Sequence, residues 1–336
     1  MPIRAEAIVF PEPNKVEITS IEVPDPGPDE VLVQNQVSGV SQGTERWQLL
    51  GRYDGMANDV AANYPFIPGY QSVGTVLAVG SKVADIKPGT RVMLSGTRLQ
   101  DPSSSRRGSA GHVSHLVANR ADVNILGDNV DLEEASLFVM AGVGRHGVRL
   151  SGVQPGEHVV VIGQGMIGQM SAQAARQRGA YVVTADLAEK RVNLSAQYSA
   201  DRAVDASNED LEEVVREKRP NGADIVIDTT GNVKLFDQCL SLIRNEGRIC
   251  LQGYYPDPVV IDFHRAHLKR ATVFFPCAWD REKNQELAND ISDHKFAIAS
   301  LITHRFPYQD APEAFRLVTE SPEQSLGMVL NWDGVN

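Results

Sequence analysis

Residues 157–186 constrain the fold more than any other stretch of the chain. They read EHVVVIGQGMIGQMSAQAARQRGAYVVTAD. Residues 159–162 form an unbroken apolar run, the pattern of a strand buried on both faces. Gly163, Gly165 and Gly168 follow at G-x-G-x-x-G spacing. A helical stretch rich in small residues comes next, opened by Met166 and Ile167 and closed by Arg178 and Gly179. A second apolar run, 181–185, ends in Asp186. Each glycine has its own task. Gly163 permits the tight turn out of the strand, Gly165 lets backbone approach an anion without a Cβ in the way, and Gly168 lets helix pack on strand. The free N–H groups and positive dipole end of the helix then face a pyrophosphate. Asp186 stands about 20 residues past the turn, where a carboxylate accepts hydrogen bonds from ribose hydroxyls. Strand, turn, helix and acid in this order predict a dinucleotide site. Asp186 favours NAD, because a 2′-phosphate would face a carboxylate; Lys190 and Arg191 are the nearby cations that leave NADP open.

The 336 residues suit one large domain or two ordinary ones. A net charge of -11 argues against nucleic acid or an anionic membrane as the main partner. No apolar run is long enough to span a bilayer. The start, MPIRAEAIVF, lacks the shape of a cleavable signal and reads as a strand, so a cytoplasmic location is expected. Cys239, Cys250 and Cys277 are scattered and form no C-x-x-C pair. Neither a disulfide framework nor a thiolate zinc site is expected from them, and buried inert thiols are.

Residues 1 to about 125 read as many short strands separated by turn signals, which suggests a barrel-like β domain. A polar, glycine-bearing loop at 38–53 leads into a short helix, and 95–111 is a second polar loop. Asp131 with Glu134 forms a capping box, predicting one helix over 132–150. Beyond Asp186 the pattern alternates: helix 188–198, strand 203–205, an acidic helix 209–218 capped by Ser207 or Asn208, strand 224–228, helix 236–243 and strand 248–252. Repeated β-α units predict a doubly wound parallel sheet with its ligand at the strand C-termini. A last strand at 273–275, helices at 281–293 and 310–319, and strands at 301–306 and 327–332 complete the reading.

With these residues in place, the chain resembles the medium-chain dehydrogenase/reductase superfamily, the alcohol-dehydrogenase-like proteins. The landmarks are VLVQNQVSGVSQGTE (31–45), PGYQSVGTVLAVGSKV (68–83), KPGTRV (87–92), the dinucleotide unit, GADIVIDTTGN (222–232) and GRICLQG (247–253). The resemblance implies an α/β chain: a GroES-like β-barrel domain from 1–140 and 276–336, and a Rossmann doubly wound parallel sheet at 141–275. It implies an active site in the cleft between them and a homodimer or homotetramer. The forms SGVSQGTE and PGYQSVG are most similar to the branch of bacteriochlorophyllide dehydrogenase-like proteins, a branch label that carries no substrate. Zinc members of the family have Cys in C-G-[TS]-D, then G-H-E, then a third Cys or acid. Here Gln42 or Ser41 stands for that Cys, Tyr70 and Gln71 replace His and Glu, and Met140 falls at the third ligand. The four-cysteine structural lobe is missing as well. No metal is expected from such a set.

Without a metal, side chains must handle the proton. Tyr70 falls at a former ligand position and could reach the substrate oxygen; acting near neutrality asks for a lowered pKa. Thr44 matches the hydroxyl that relays a proton in the family. Glu45 matches the acid of the motif, a supporting group or a direct base. His146 is a candidate proton shuttle beside the nicotinamide. Ser41, Gln42, Trp47, Gln71 and Met140 are expected to line the pocket, and Arg46, Arg106, Arg107 and Arg145 could meet an anionic substrate. On the cofactor side, Thr229, Thr230 and Gly231 match the family loop against ribose and nicotinamide, and Gly253 with Tyr254 the nicotinamide carboxamide. The expected activity is NAD(H)-dependent, zinc-independent hydride transfer to or from a small hydroxyl or carbonyl compound such as a secondary alcohol, polyol or sugar. A quinone or enone reductase and a non-catalytic NAD-binding protein are the alternatives.

Overall fold

The computed structural model describes residues 2–53, 64–95, 97 and 110–334. Most of the loop at 95–111, with Arg106 and Arg107, lies outside the described residues. The chain divides into two compact units, Met1–Val139 with Glu282–Asn336, and Met140–Arg281.

The first unit begins with an antiparallel hairpin, β1 (Ile3–Val9) and β2 (Glu17–Val23). β3 (Glu30–Gly39) precedes a short helix, α1 (Thr44–Leu49), and the strands β4 (Ser72–Val79), β5 (Arg91–Leu94), β6 (His115–Asn119) and β7 (Val123–Ile125). β3 pairs with both β4 and β6, which bend around a core of Val31, Val33, Val76, Val92, Leu116 and Val117. β-branched side chains alternating along paired strands give this core its shape. The helix expected over 132–150 is broken at Leu137 into α2 (Leu132–Ser136) and α3 (Phe138–Leu150). The capping box is only half made. Asp131 accepts from the Glu134 N–H at 3.0 Å, but the Glu134 carboxylate accepts from the Ala299 N–H at 3.0 Å instead of reaching back.

The second unit alternates strictly: β8 (His158–Ile162), α4 (Met166–Gln177), β9 (Tyr181–Asp186), α5 (Glu189–Tyr198), β10 (Arg202–Asp205), α6 (Leu211–Lys218), β11 (Ala223–Asp228), α7 (Phe236–Leu242), β12 (Ile243–Leu251), α8 (Phe263–Lys269) and β13 (Thr272–Phe274). The strands are parallel in the order β10-β9-β8-β11-β12-β13. Strand order reverses between β8 and β11, and ligands of such sheets bind at that switch point. All five residues of β8 are buried, as an apolar run covered on both faces requires. Asp210 caps α6, accepting from the Glu212 N–H at 2.8 Å. Ser207 and Asn208, the caps expected from sequence, bond the Asp205 carboxylate in the preceding turn instead. α8 was not legible because none of its residues is buried, so it has no apolar period.

The chain returns to the first unit with α9 (Asn284–Ser292), β14 (Ile302–Pro307), α10 (Ala311–Glu320) and β15 (Gly327–Asn331). β15 lies inside the sheet, parallel to β14 and antiparallel to β3. α10 buries Ala311, Ala314, Phe315 and Val318, one helical face, against Ile8, Phe10, Met328, Leu330 and Trp332. Cys239 and Cys250 are buried, and burial pushes both thiols up, Cys250 to about 12. Cys277 is exposed, contrary to the expectation of three buried thiols. Among the described residues, no helix is long and apolar enough to cross a membrane.

Candidate active site

β3 ends at Gly39, and the chain crosses Val40–Gly43 into α1. The Ser41 carbonyl accepts from the Glu45 N–H at 2.9 Å, and the Glu45 carboxylate accepts from the Ser41 N–H at 3.1 Å. Glu45 is fully buried. Its other oxygen pairs with His112 Nε2 at 2.9 Å. His112 Nδ1 lies 2.8 Å from Ser38 Oγ, and Trp332 Nε1 donates to the same oxygen at 2.9 Å. An indole nitrogen can only donate, so the Ser38 hydroxyl proton is free to turn to Nδ1. With Nδ1 accepting from Ser38, Nε2 carries a proton and gives it to the Glu45 carboxylate, so every group has a partner. His112 was not singled out in the sequence. It is distant from Glu45 in the chain, and nothing local marks it except buried polar residues alternating at His112 and Ser114.

The same histidine sits behind Tyr70. Gly69 takes a positive φ of 89°, and a Cβ there would lie 2.7 Å from the His112 nitrogen and 2.8 Å from its ring. Gly69 and Gly111 thus let two backbones touch, joined by Gly111 N–H to Gly69 O at 2.9 Å. Tyr70 is held half-buried, its hydroxyl donating to Ser41 Oγ. Burial, then the Glu45 charge, push the phenol well above the ordinary tyrosine range; hydrogen bonds with the Ser41 and Thr44 hydroxyls oppose this in part. The lowered pKa asked of Tyr70 is therefore not what this environment gives. Tyr70 is a protonated donor at neutral pH.

The remaining residues fall in several places. Ser41, Thr44, Glu45 and Tyr70 come together. Gln42 turns away, its amide donating to Leu326 O at 2.6 Å. Trp47 is flanked by the Arg46 and Arg52 guanidiniums, 5.4 and 4.9 Å from its ring. Gln71 is buried, donating to Gly39 O at 3.3 Å, and its Oε1 has no partner among the described residues. Met140, Arg145 and His146 belong to the second unit, on α3. Burial, then Arg149, lower the His146 pKa, with Nδ1 3.2 Å from the Arg149 guanidinium.

In the second unit, Gly163 turns at φ 85° out of β8. A Cβ on Gly168 would lie 1.9 Å from Gly163 O, so α4 packs on the turn only without a side chain there. A Cβ on Gly165 would meet nothing within 4 Å, which leaves the face before Met166 and Ile167 open for an anion. The Asp186 carboxylate accepts from the Gln164 N–H at 2.6 Å and the Ala188 N–H at 2.9 Å. It braces the turn and still has lone pairs for ribose hydroxyls. Arg191 stands half-buried on the first turn of α5. Thr229 donates to Gly163 O at 2.9 Å, and Gly231 fits against Tyr254 O, which a Cβ would approach to 2.2 Å. Gly253 packs on Gly231 in the same way, at 2.5 Å from its nitrogen. Thr230 bonds the buried Asp228, as does the Tyr255 hydroxyl at 2.7 Å. Burial raises the Asp228 pKa, and these bonds hold it down in part.

Residues 27–128 match the family described as Alcohol dehydrogenase GroES-like domain, and residues 167–293 match the one described as Zinc-binding dehydrogenase. The chain belongs to the medium-chain dehydrogenase/reductase superfamily. Within this superfamily of oxidoreductases it is 26% identical over 334 residues to the 2-desacetyl-2-hydroxyethyl bacteriochlorophyllide A dehydrogenase of Cereibacter sphaeroides, covering 98% of this chain and 99% of that one. It is 26% identical over 348 residues to the sorbitol dehydrogenase of Ovis aries, covering 96% and 94%. A putative zinc-binding dehydrogenase from Sinorhizobium meliloti, solved bound to NADP, shares the fold with a TM-score of 0.85 at 21% identity, covering 98% and 99%. The superfamily's zinc can be tested against the donors present. Ser41 and Tyr70 oxygens bond each other, Glu45 is taken by His112 and the Ser41 N–H, and Gln71 offers an amide. Among the described residues no three His, Cys, Asp or Glu side chains gather as a ligand group. This donor set does not fit Zn²⁺.

Proposed function

We propose that this chain is an NAD(H)-dependent oxidoreductase that interconverts a carbonyl and a secondary alcohol on a small polyol- or sugar-like compound without a metal. The protonated Tyr70 phenol on Ser41 carries the reading. Bound nicotinamide supplies or accepts the hydride. In the reducing direction Tyr70 gives its proton to the substrate oxygen, and the Ser41 and Thr44 hydroxyls turn to donate to the phenolate until solvent restores the proton. The neutral phenol favours reduction, since the reverse reaction needs a phenolate. Glu45, buried and doubly bonded, acts as a positioning group rather than as a base open to substrate. Asp186 supports NAD over NADP, because its charge would oppose a 2′-phosphate. The same phenol could protonate an enolate, which favours enone or quinone reduction as the second reading. Both are separated by a screen of ketoses, secondary ketones and enones with NADH. Tyr70→Phe should lower kcat about 100-fold or more, the range of general acid catalysis, with NADH affinity unchanged and activity insensitive to EDTA. Unchanged turnover, or loss of activity to the chelator, sinks the mechanism. A homodimer along β13 is the proposed assembly, supported by Val260, Ile261, Phe263, Leu268 and Phe275, which are exposed in the stretch of chain that carries that edge strand.

A further inference from the structure

The parallel sheet of the second unit has two ends, and the glycine turn uses only the carboxyl end. At the amino end, a cavity of about 280 Å³ lies between the sheet and the last turn of α6. Strand register explains its composition. His158 pairs with Tyr181, Val160 with Val183, and Val183 with Arg202, so these side chains share one face. Val160, Val183, Val215 and Ala223 give an apolar floor.

The walls are polar and incompletely used. His158 is 9% exposed, and its ring packs tilted on Tyr181 at 4.8 Å. Its ring nitrogens have no hydrogen-bond partner among the described residues and are not fully buried, and the residue lines the cavity. Burial, then the Arg219 charge, lower its pKa, so the ring is neutral and offers one donor and one acceptor. Lys218 Nζ lies 3.9 Å over the Tyr181 ring and pairs with no carboxylate among the described residues. Arg202 is bound to Glu209. Glu217 is the one carboxylate in the lining, and it is exposed.

We propose that this cavity is a second small-molecule site, separate from the dinucleotide turn, that takes a single-ring aromatic carboxylate. The ring covers the valine floor beside Tyr181, the carboxylate meets Lys218, and His158 supplies a hydrogen bond. The volume lies just below the usual range of ligand pockets, about 300–1,000 Å³, which suits one ring and excludes a nucleotide.

Benzoate titrated calorimetrically into the full chain tests this, with benzamide as the neutral control. Saturable benzoate binding is expected with and without NADH present, with benzamide about tenfold weaker for want of a charge-assisted bond. Lys218→Met should weaken benzoate about tenfold and Glu217→Lys should strengthen it, while NADH affinity stays unchanged in both. Both positions are exposed, so folding is not at stake. Absence of saturable binding, displacement by NADH, equal binding of benzamide, or indifference to both substitutions would overturn the site.

Discussion

Two turns in this molecule hold neighbouring elements in close contact by different means. In the second unit, Gly163 to Gly168 does so with backbone alone: a Cβ at Gly168 has 1.9 Å of room, and Asp186 braces the turn through main-chain N–H groups. In the first unit, Gly69 and Gly111 also bring backbones together, but the space behind them is filled by side chains, His112, Glu45, Ser38 and Trp332. A backbone device tolerates changes of side chain and fails when an atom is added. A side-chain network fails when an atom is removed, because each partner left behind is buried and unsatisfied.

The largest effect should come from emptying the network. His112→Ala takes a hydrogen-bond donor from the buried Glu45 carboxylate and should cost about 3 kcal/mol or more, the upper end for a buried charged acceptor, read as a lowered urea midpoint. A loss below about 1 kcal/mol would mean the pair is not structural. Next is the second unit's own buried acid. Tyr255→Phe removes one donor from Asp228 and should cost about 1–3 kcal/mol at neutral pH. The folded pKa of Asp228 is raised, so its stabilising share is complete below the unfolded value, about 3.9, and is lost as pH rises through the folded value. The penalty of Tyr255→Phe should therefore shrink as pH falls toward the carboxyl range; an equal penalty in urea melts at pH 4 and pH 7 would deny that coupling. The smallest change in stability belongs to Gly165→Ala. Its Cβ meets nothing and its φ of -66° suits alanine, so stability should move within about 0.5 kcal/mol. NADH should nevertheless bind about tenfold more weakly by fluorescence titration, since the methyl enters the anion face. Unchanged NADH affinity would place the pyrophosphate elsewhere.

The contrast also explains what could be read from the chain. The glycine turn is contiguous, so spacing, flanking apolar runs and the distant acid sufficed to place Gly163, Gly165, Gly168 and Asp186. The first-unit cluster draws residues from positions 38, 45, 70, 112 and 332, which only the fold brings together. Ser41, Thr44, Glu45 and Tyr70 were found through family resemblance, while His112 and Trp332 had no local signature. Local readings failed where competition decided the outcome. Ser207 and Asn208 are sound caps, yet Asp205 claims them and Asp210 is nearer the helix. Glu134 would complete its box, yet Ala299 offers it a tertiary partner.

The interior position of β15 bears on the order of events during synthesis. The strand and Trp332 leave the ribosome after the whole second unit, which by then has every strand of its own sheet. The first unit must wait with β3 half-paired and Ser38 without its indole donor. The Ser38–His112–Glu45 network is therefore completed only after the second unit has been made, by a strand and an indole that follow it in the chain.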